Sequence, residues 1–283
     1  MRSRPRGAQE TMEEHVSPVT HFVNHYLGSL ALAILNALHI KPENPAEPIP
    51  QQVVMALLVL VILTVFALIL RSRLSVEKPG ATQQIAELLL TNPMRIGIRD
   101  VLDEAGGHHS RSFLSFVGTI SVFVLVSNLM SLFPWFSAPT GHPTVPLACA
   151  SLVFLYFNFQ GIRHLGPGRY LKNFAAGTPL WIAWLIMPLE IFSMCARVLS
   201  LTVRLFANIF ASDLIYGIFV SLLSGVALWG WHKSPALGIA FGIFPALIPL
   251  AFILLHLLVA FVQAFIFTAL PSVYLGLATA EEH

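Results

Sequence analysis

Leu189-Glu-Ile-Phe-Ser-Met-Cys-Ala-Arg-Val-Leu-Ser-Leu-Thr-Val-Arg-Leu-Phe-Ala-Asn-Ile-Phe-Ala-Ser-Asp-Leu-Ile-Tyr216 decides how this chain folds. The stretch holds no glycine and no proline, so nothing in it obliges a turn. As one helix it is about 42 Å long at ~1.5 Å per residue. The hydrocarbon core of a bilayer is only ~30 Å thick. Strong helix formers run throughout, which predicts one tilted helix rather than two spans meeting without a breaker. From Pro179 to Ser221 the only formal charges are Glu190, Arg197, Arg204 and Asp213. A cation at mid-bilayer costs at least ~2.5–3.5 kcal/mol, so Arg204 needs a protein interior or a wet path to face.

Composition agrees with a lipid solvent. The 283 residues are 56% hydrophobic and only 11% charged. A soluble domain carries roughly 25% charged residues, so too little charge is present to cover a water-facing surface. The fold class expected is an all-α integral membrane protein. The net charge of +2 says little, because lipid rather than nucleic acid is the main solvent, and no nucleic-acid partner is expected. Cys149 and Cys195 lie in apolar segments without a CxxC partner and read as small core residues. His15, His21, His25, His108 and His109 have no acidic or cysteine partner at usable spacing, so they read as surface histidines and no metal is expected. No P-loop, GxSxG or HExxH motif is present, which argues against a self-contained nucleotide- or peptide-cleaving site and against a bound cofactor.

Outward from the opening stretch, apolar runs predict five membrane-crossing helices, at about 53–70, 112–134, 145–162, 180–222 and 236–278. Residues 51–283 thus form a membrane domain. Residues 1–50 read as an extramembrane segment with a short surface helix, closed by the proline-rich Lys41–Pro50 break. Arg2, Arg4 and Arg6 could open a signal peptide, but the acids and histidines before the short Leu27–Leu38 run favour a surface helix. Gln83–Glu104 alternates apolar and charged residues and predicts an amphipathic helix lying on the membrane. The last two segments, separated by Trp229–Pro235, are too long for upright helices. Basic residues after Leu70 and after Ile162 place those loops in the cytoplasm. Five crossings then put the N-terminus outside and the C-terminus inside.

On a helix, residues seven apart differ by only ~20° around the axis. Glu190, Arg197 and Arg204 are spaced seven and seven, and Asn208 follows four later. Ser193 and Ser200 lie on nearby stripes. Asp213 is nine from Arg204, about 180° away, so the two are not expected to pair. On the last helix His256, Gln263 and Tyr274 share a face. Carboxylates and imidazoles can take up and release protons, as an intramembrane relay needs. Arginine cannot release its proton. It serves as a fixed positive barrier, or drives a proton off a neighbouring carboxylic acid.

Leu199-Ser-Leu-Thr-Val-Arg-Leu-Phe-Ala-Asn208 resembles the signature of subunit a of the F-type ATP synthases. Gln263-Ala-Phe-Ile-Phe and Val273-Tyr-Leu resemble that family's last helix. Pro188-Leu-Glu190, Asn128–Pro134, Gly161–Lys172 and the terminal Glu-Glu-His also fit. The resemblance implies a last helix pair packed as a hairpin against a ring of c subunits, with a b-subunit peripheral stalk and the rest of the complex as further partners. It implies that Arg204 faces the ring between two offset half-channels, with Asn208 and Gln263 as polar neighbours. Asp213 and His256 fall in the outer half-channel, Asp213 standing where the family usually has Glu. Glu190, Ser193 and Ser200 fall in the inner one, with Arg197 and Tyr274 as secondary polar residues. Ala207 and Ser212 replace usual glycines, and Ser131 stands where some members carry an acid. The chain would be non-catalytic by itself, conducting protons in a bacterial inner membrane to drive ATP synthesis elsewhere. Two other classes compete: a secondary transporter, which would show inverted repeats with broken helices, and a structural membrane anchor, for which Arg204→Ala would be silent.

Overall fold

The computed structural model describes residues 17–37, 39, 47–76, 78–105, 110–133, 136–174 and 180–279. Among them it is helical and carries no strand. The order is α1 (Pro18–Ala37), α2 (Gln51–Ser72), α3 (Ala81–Leu90), α4 (Ile98–Ala105), α5 (Ser110–Met130), a 3₁₀ turn (Pro139–Gly141), α6 (Thr144–Leu165), α7 (Pro167–Phe174), α8 (Leu180–Lys233) and α9 (Pro235–Thr279). Five helices are long and apolar enough to cross a membrane: α2, α5, α6, α8 and α9. His15, His108, His109 and the terminal Glu281–His283 lie outside the described residues.

The opening stretch is a single helix, as its lack of breakers predicts. At 54 residues, α8 is about 81 Å long at ~1.5 Å per residue, more than twice the ~30 Å hydrocarbon core. Pro188 lies inside it without ending it. The helix also passes through Trp229–Lys233, where a turn was expected, and only Ser234 separates it from α9. Lys233 Nζ sits 4.5 Å from the Trp229 ring centroid one turn back, a cation–π contact that favours helix there. Pro235 then starts α9 at the first position, where a proline loses no hydrogen bond.

The expected amphipathic helix over 83–104 is instead two helices, α3 and α4. Pro93 disfavours helical backbone at Asn92. The Asp100 carboxylate accepts from the Asn92 N–H at 3.0 Å, and Asn92 Oδ1 accepts from the Ile96 N–H at 3.1 Å. Local side-chain bonds thus satisfy the backbone groups that a continuous helix would have paired. In α4, Ile98, Val101 and Leu102 are buried, so this helix enters the core as well as lying along it.

The core joins five helices: Ile98 and Leu102 of α4, Phe113, Val117 and Val124 of α5, Val153 and Phe157 of α6, Leu201 and Leu205 of α8, and Phe267 and Leu275 of α9. In lipid the apolar effect does not drive helices together, so packing and polar bonds must hold them. On the α5–α9 seam, Thr268 Oγ1 donates to Ser121 Oγ at 2.8 Å, both residues being buried. Such a bond contributes roughly 0.6–2 kcal/mol in a membrane. Cys149 is buried as expected, whereas Cys195 is exposed. On α2 the residues Leu57, Leu60, Val61 and Leu68 are exposed, as an apolar face turned to lipid is. At its start α1 is clasped to the chain before α2, because Asn24 exchanges two hydrogen bonds with the Ile49 backbone at 3.0 and 3.1 Å. His21 meets Glu47 at 2.9 Å, an acidic partner that linear spacing does not disclose.

Gly166 ends α6 with φ +78, in the left-handed region, and turns the chain back into α7. That return lays the Tyr170 ring on Gly161. A Cβ at Gly161 would come within 2.3 Å of Tyr170 Cε2. Gly161→Ala is therefore expected to displace the ring and cost about 1–3 kcal/mol, as overpacking does. The check is thermal inactivation of the purified complex: a lowered midpoint for Gly161→Ala, and a smaller further loss when Tyr170→Ala is added, since the two residues share one contact.

Candidate functional site

The polar residues of α8 and α9 sort into three stations along the helix pair. At the end far from the Ser234 joint, Arg197 Nη2 lies 3.8 Å from Glu190 Oε1. The seven-residue spacing thus becomes an ion pair. The Arg197 guanidinium also lies 5.1 Å from the Tyr274 ring centroid. Glu190, Arg197, Tyr274, Tyr170, Phe157 and Met194 line a cavity of about 150 Å³. A single water needs only about 10–15 Å³ of such volume, so several fit. Tyr170 closes one wall, and its hydroxyl donates to Asn158 Oδ1 at 2.9 Å. Burial first, then the nearby Glu190 carboxylate, pushes the Tyr170 phenol above its ordinary range, so it stays a donor at physiological pH. Tyr170 was not among the expected site residues. Its approach to Glu190 depends on how α7 folds back, which no local pattern signals.

The middle station is Arg204. The buried face of α8 is Leu201, Leu205 and Ile209, one residue per turn. Arg204 lies off that face and is exposed, beside the exposed Val203, Ala207 and Phe210. No acid pairs with it among the described residues. The expected interior for this cation is therefore not supplied by the described residues. Asn208 is half-buried one turn on, and Ser193 is half-buried while Ser200 is exposed. Across on α9, Gln263 is 1% exposed and its Oε1 has no protein partner among the described residues.

The third station lies toward the joint. His256 is 7% exposed. Its Nε2 lies 2.7 Å from Ser131 Oγ and 3.0 Å from the Asn128 carbonyl oxygen. Asn128 Oδ1 accepts from Thr140 Oγ1 at 2.6 Å. Asn128 Nδ2 and Ser127 Oγ are buried without a protein partner among the described residues. Buried polar atoms almost always find a partner, so such a cluster reads as one that water completes. Asp213 reaches this station from α8: its carboxylate approaches Gly141, next to Thr140. Asp213 and Arg204 form no ion pair, in keeping with their half-turn offset.

The stripe expected on α9 divides accordingly. His256 and Gln263 are buried, whereas Tyr274 is half-buried and belongs to the Glu190 station. A membrane cation with no acidic partner among the described residues thus stands between two separate polar clusters. The sequence matches the ATP synthase A chain family over residues 53–276. The chain belongs to that family. It is 36% identical over 264 residues to the ATP synthase subunit a of Koribacter versatilis, covering 93% of this chain and 97% of that one. The ATP synthase subunit a of Solibacter usitatus is 36% identical over 92% of this chain and 99% of its own. That of Desulfosudis oleivorans is 37% identical over 72% and 78%. As an ATP synthase A chain the molecule is a multi-pass membrane protein, and its five apolar helices agree.

Proposed function

We propose that this chain is the proton-conducting stator subunit a of an F-type ATP synthase, a non-catalytic part of the F1Fo complex in a bacterial inner membrane. The observation that carries the mechanism is Arg204, exposed on the outer face of α8 with no acid paired to it among the described residues. A cation in that position demands a partner surface. In this reading the surface is a ring of c subunits, each bringing a carboxylate past Arg204, while a b-subunit stalk holds the chain still.

Basic residues after α2 and α6 put those loops in the cytoplasm, the N-terminus outside and the C-terminus inside. The His256 station then opens outward and the Glu190 station inward. Residues 1–50 stay outside the membrane domain. A proton enters past Asp213 and His256 and neutralises a ring carboxylate, which can then turn into lipid. After nearly a full rotation that acid meets Arg204 from the other side. The guanidinium favours the ionised carboxylate, and the proton leaves by the cavity near Glu190 and Tyr274. Asn208 and Gln263 supply hydrogen bonds close to the exchange. Moving one charge through 100 mV yields about 2.3 kcal/mol, so several protons must be gathered for each ATP made on other subunits.

The test is purification by a tag on this chain. A small two-helix proteolipid with a mid-membrane acid is expected to copurify, and the complex to pump protons in liposomes when given ATP. Solute transport by the isolated chain alone would contradict the proposal.

A further inference from the structure

The bonds around His256 specify more than its presence on a path. A carbonyl oxygen only accepts hydrogen bonds. The Asn128 carbonyl lies 3.0 Å from His256 Nε2, so that nitrogen must carry a hydrogen to make the contact. Ser131 Oγ lies 2.7 Å from the same nitrogen, and its own hydroxyl donates to the Asn128 carbonyl at 3.1 Å. With its hydrogen so committed, the serine offers Nε2 a lone pair. The carbonyl contact calls for Nε2–H and does not suit a bare Nε2, and with Nε2–H in place the serine oxygen accepts. In a neutral imidazole one nitrogen is the donor and the other the acceptor, and the bond at one decides the other.

We infer that His256 takes up and releases protons through Nδ1 alone, with Ser131 and the Asn128 carbonyl of α5 as positioning groups that hold Nε2–H. This rests on the reading that His256 lies on the proton path. Thr140, donating to Asn128 Oδ1 at 2.6 Å, steadies the residue whose carbonyl does the holding. Asn128 and Thr140 are fully buried, so the bonds of the clasp form in a low-dielectric setting that strengthens them. The ionisable group that α8 brings toward this station is Asp213, near Gly141; the one ionisable residue of α5, Arg111, lies at that helix's opposite end, and the 3₁₀ turn has none. The proton step is balanced: the Nδ1 lone pair accepts one proton to form imidazolium, and the Nδ1–H bond breaks to release it. Nε2–H stays in place throughout. A serine at position 131 thus works by orienting the relay member rather than by joining the relay.

Two measurements on the assembled complex test this. Nitrogen-15 NMR of histidine-labelled complex, with His256→Gln subtracted to isolate the signal, is expected to show the neutral ring protonated at Nε2. A neutral ring protonated at Nδ1 would overturn the inference. Passive proton conductance through F1-stripped vesicles is expected to fall about tenfold in Ser131→Ala, the low end for losing a group that orients a working imidazole. Ser131→Thr, which keeps the hydroxyl, is expected to restore it. Unchanged conductance in a fully assembled Ser131→Ala complex would overturn the positioning role. Normal conductance in His256→Gln would instead sink the proton-path reading, whichever tautomer the wild-type ring shows.

Discussion

Arg204→Ala is expected to abolish ATP-driven proton pumping in proteoliposomes of the full complex, with subunit content unchanged. The loss follows from where the side chain sits. Leu201, Leu205 and Ile209 hold α8 against the bundle, and Arg204 projects off that face with no acid beside it among the described residues. Removing it breaks no ion pair among the described residues, so assembly is expected to survive. In the proposed function, what goes is the positive charge that favours an ionised carboxylate on a passing ring. A fall of about 100-fold or more in coupled flux, roughly 2.7 kcal/mol, is the expected size. Arg204→Lys tests geometry against charge, since a lysine keeps the charge but not the rigid planar fork. It is expected to restore only part of the flux. Retained coupled pumping in Arg204→Ala would return the chain to a structural anchor.

The second large effect is expected at the opposite station. His256→Ala removes the buried imidazole from its contacts with Ser131 and Asn128. Proton-driven ATP synthesis is expected to fall about 100-fold, the lower range of what a positioned proton-transfer group contributes. Asp213→Asn keeps the shape and removes the charge, and is expected to act in the same direction. Because both residues serve one station, the double variant is expected to lose little more than either single one. Losses that multiply would show that the two act independently. ATP hydrolysis by the detached F1 part serves as the control and is expected to be unaffected.

Much of this arrangement was legible in the sequence, for physical reasons that can be named. A run of 28 residues without glycine or proline has few ways to avoid being one helix, and α8 is one. Seven-residue spacing places Glu190 and Arg197 within reach, and they meet. A nine-residue offset separates Asp213 from Arg204, and they do not. The break between α3 and α4 was also present in the sequence, at Asn92-Pro93, but the amphipathic pattern on either side outweighs a single proline when only periodicity is read.

Other features could not have been read from one segment. Which face of α8 packs inward is hidden because lipid and protein neighbours are both apolar, so hydrophobic pattern does not distinguish them. A mid-bilayer arginine suggests an interior, yet Arg204 is exposed, and only the packing of Leu201, Leu205 and Ile209 reveals it. The partners of His256 come from 125 and 128 residues away, on α5 and just after it. Asn128 signals itself as a polar residue in a span, but Ser131 and Thr140 look like ordinary small residues at its end. Tyr170 carries no signal, because its place beside Glu190 depends on the turn at Gly166 and the open space at Gly161.

In the proposed mechanism Arg204 is a barrier between two paths and not a carrier within one. Passive proton conductance through vesicles stripped of F1 separates these roles. With Arg204→Ala, a barrier role predicts that protons leak across as fast as in the wild type or faster, although ATP-driven pumping is lost. Conductance that disappears together with pumping would contradict it, because only a residue that carries the proton, or the path itself, stops the leak when removed.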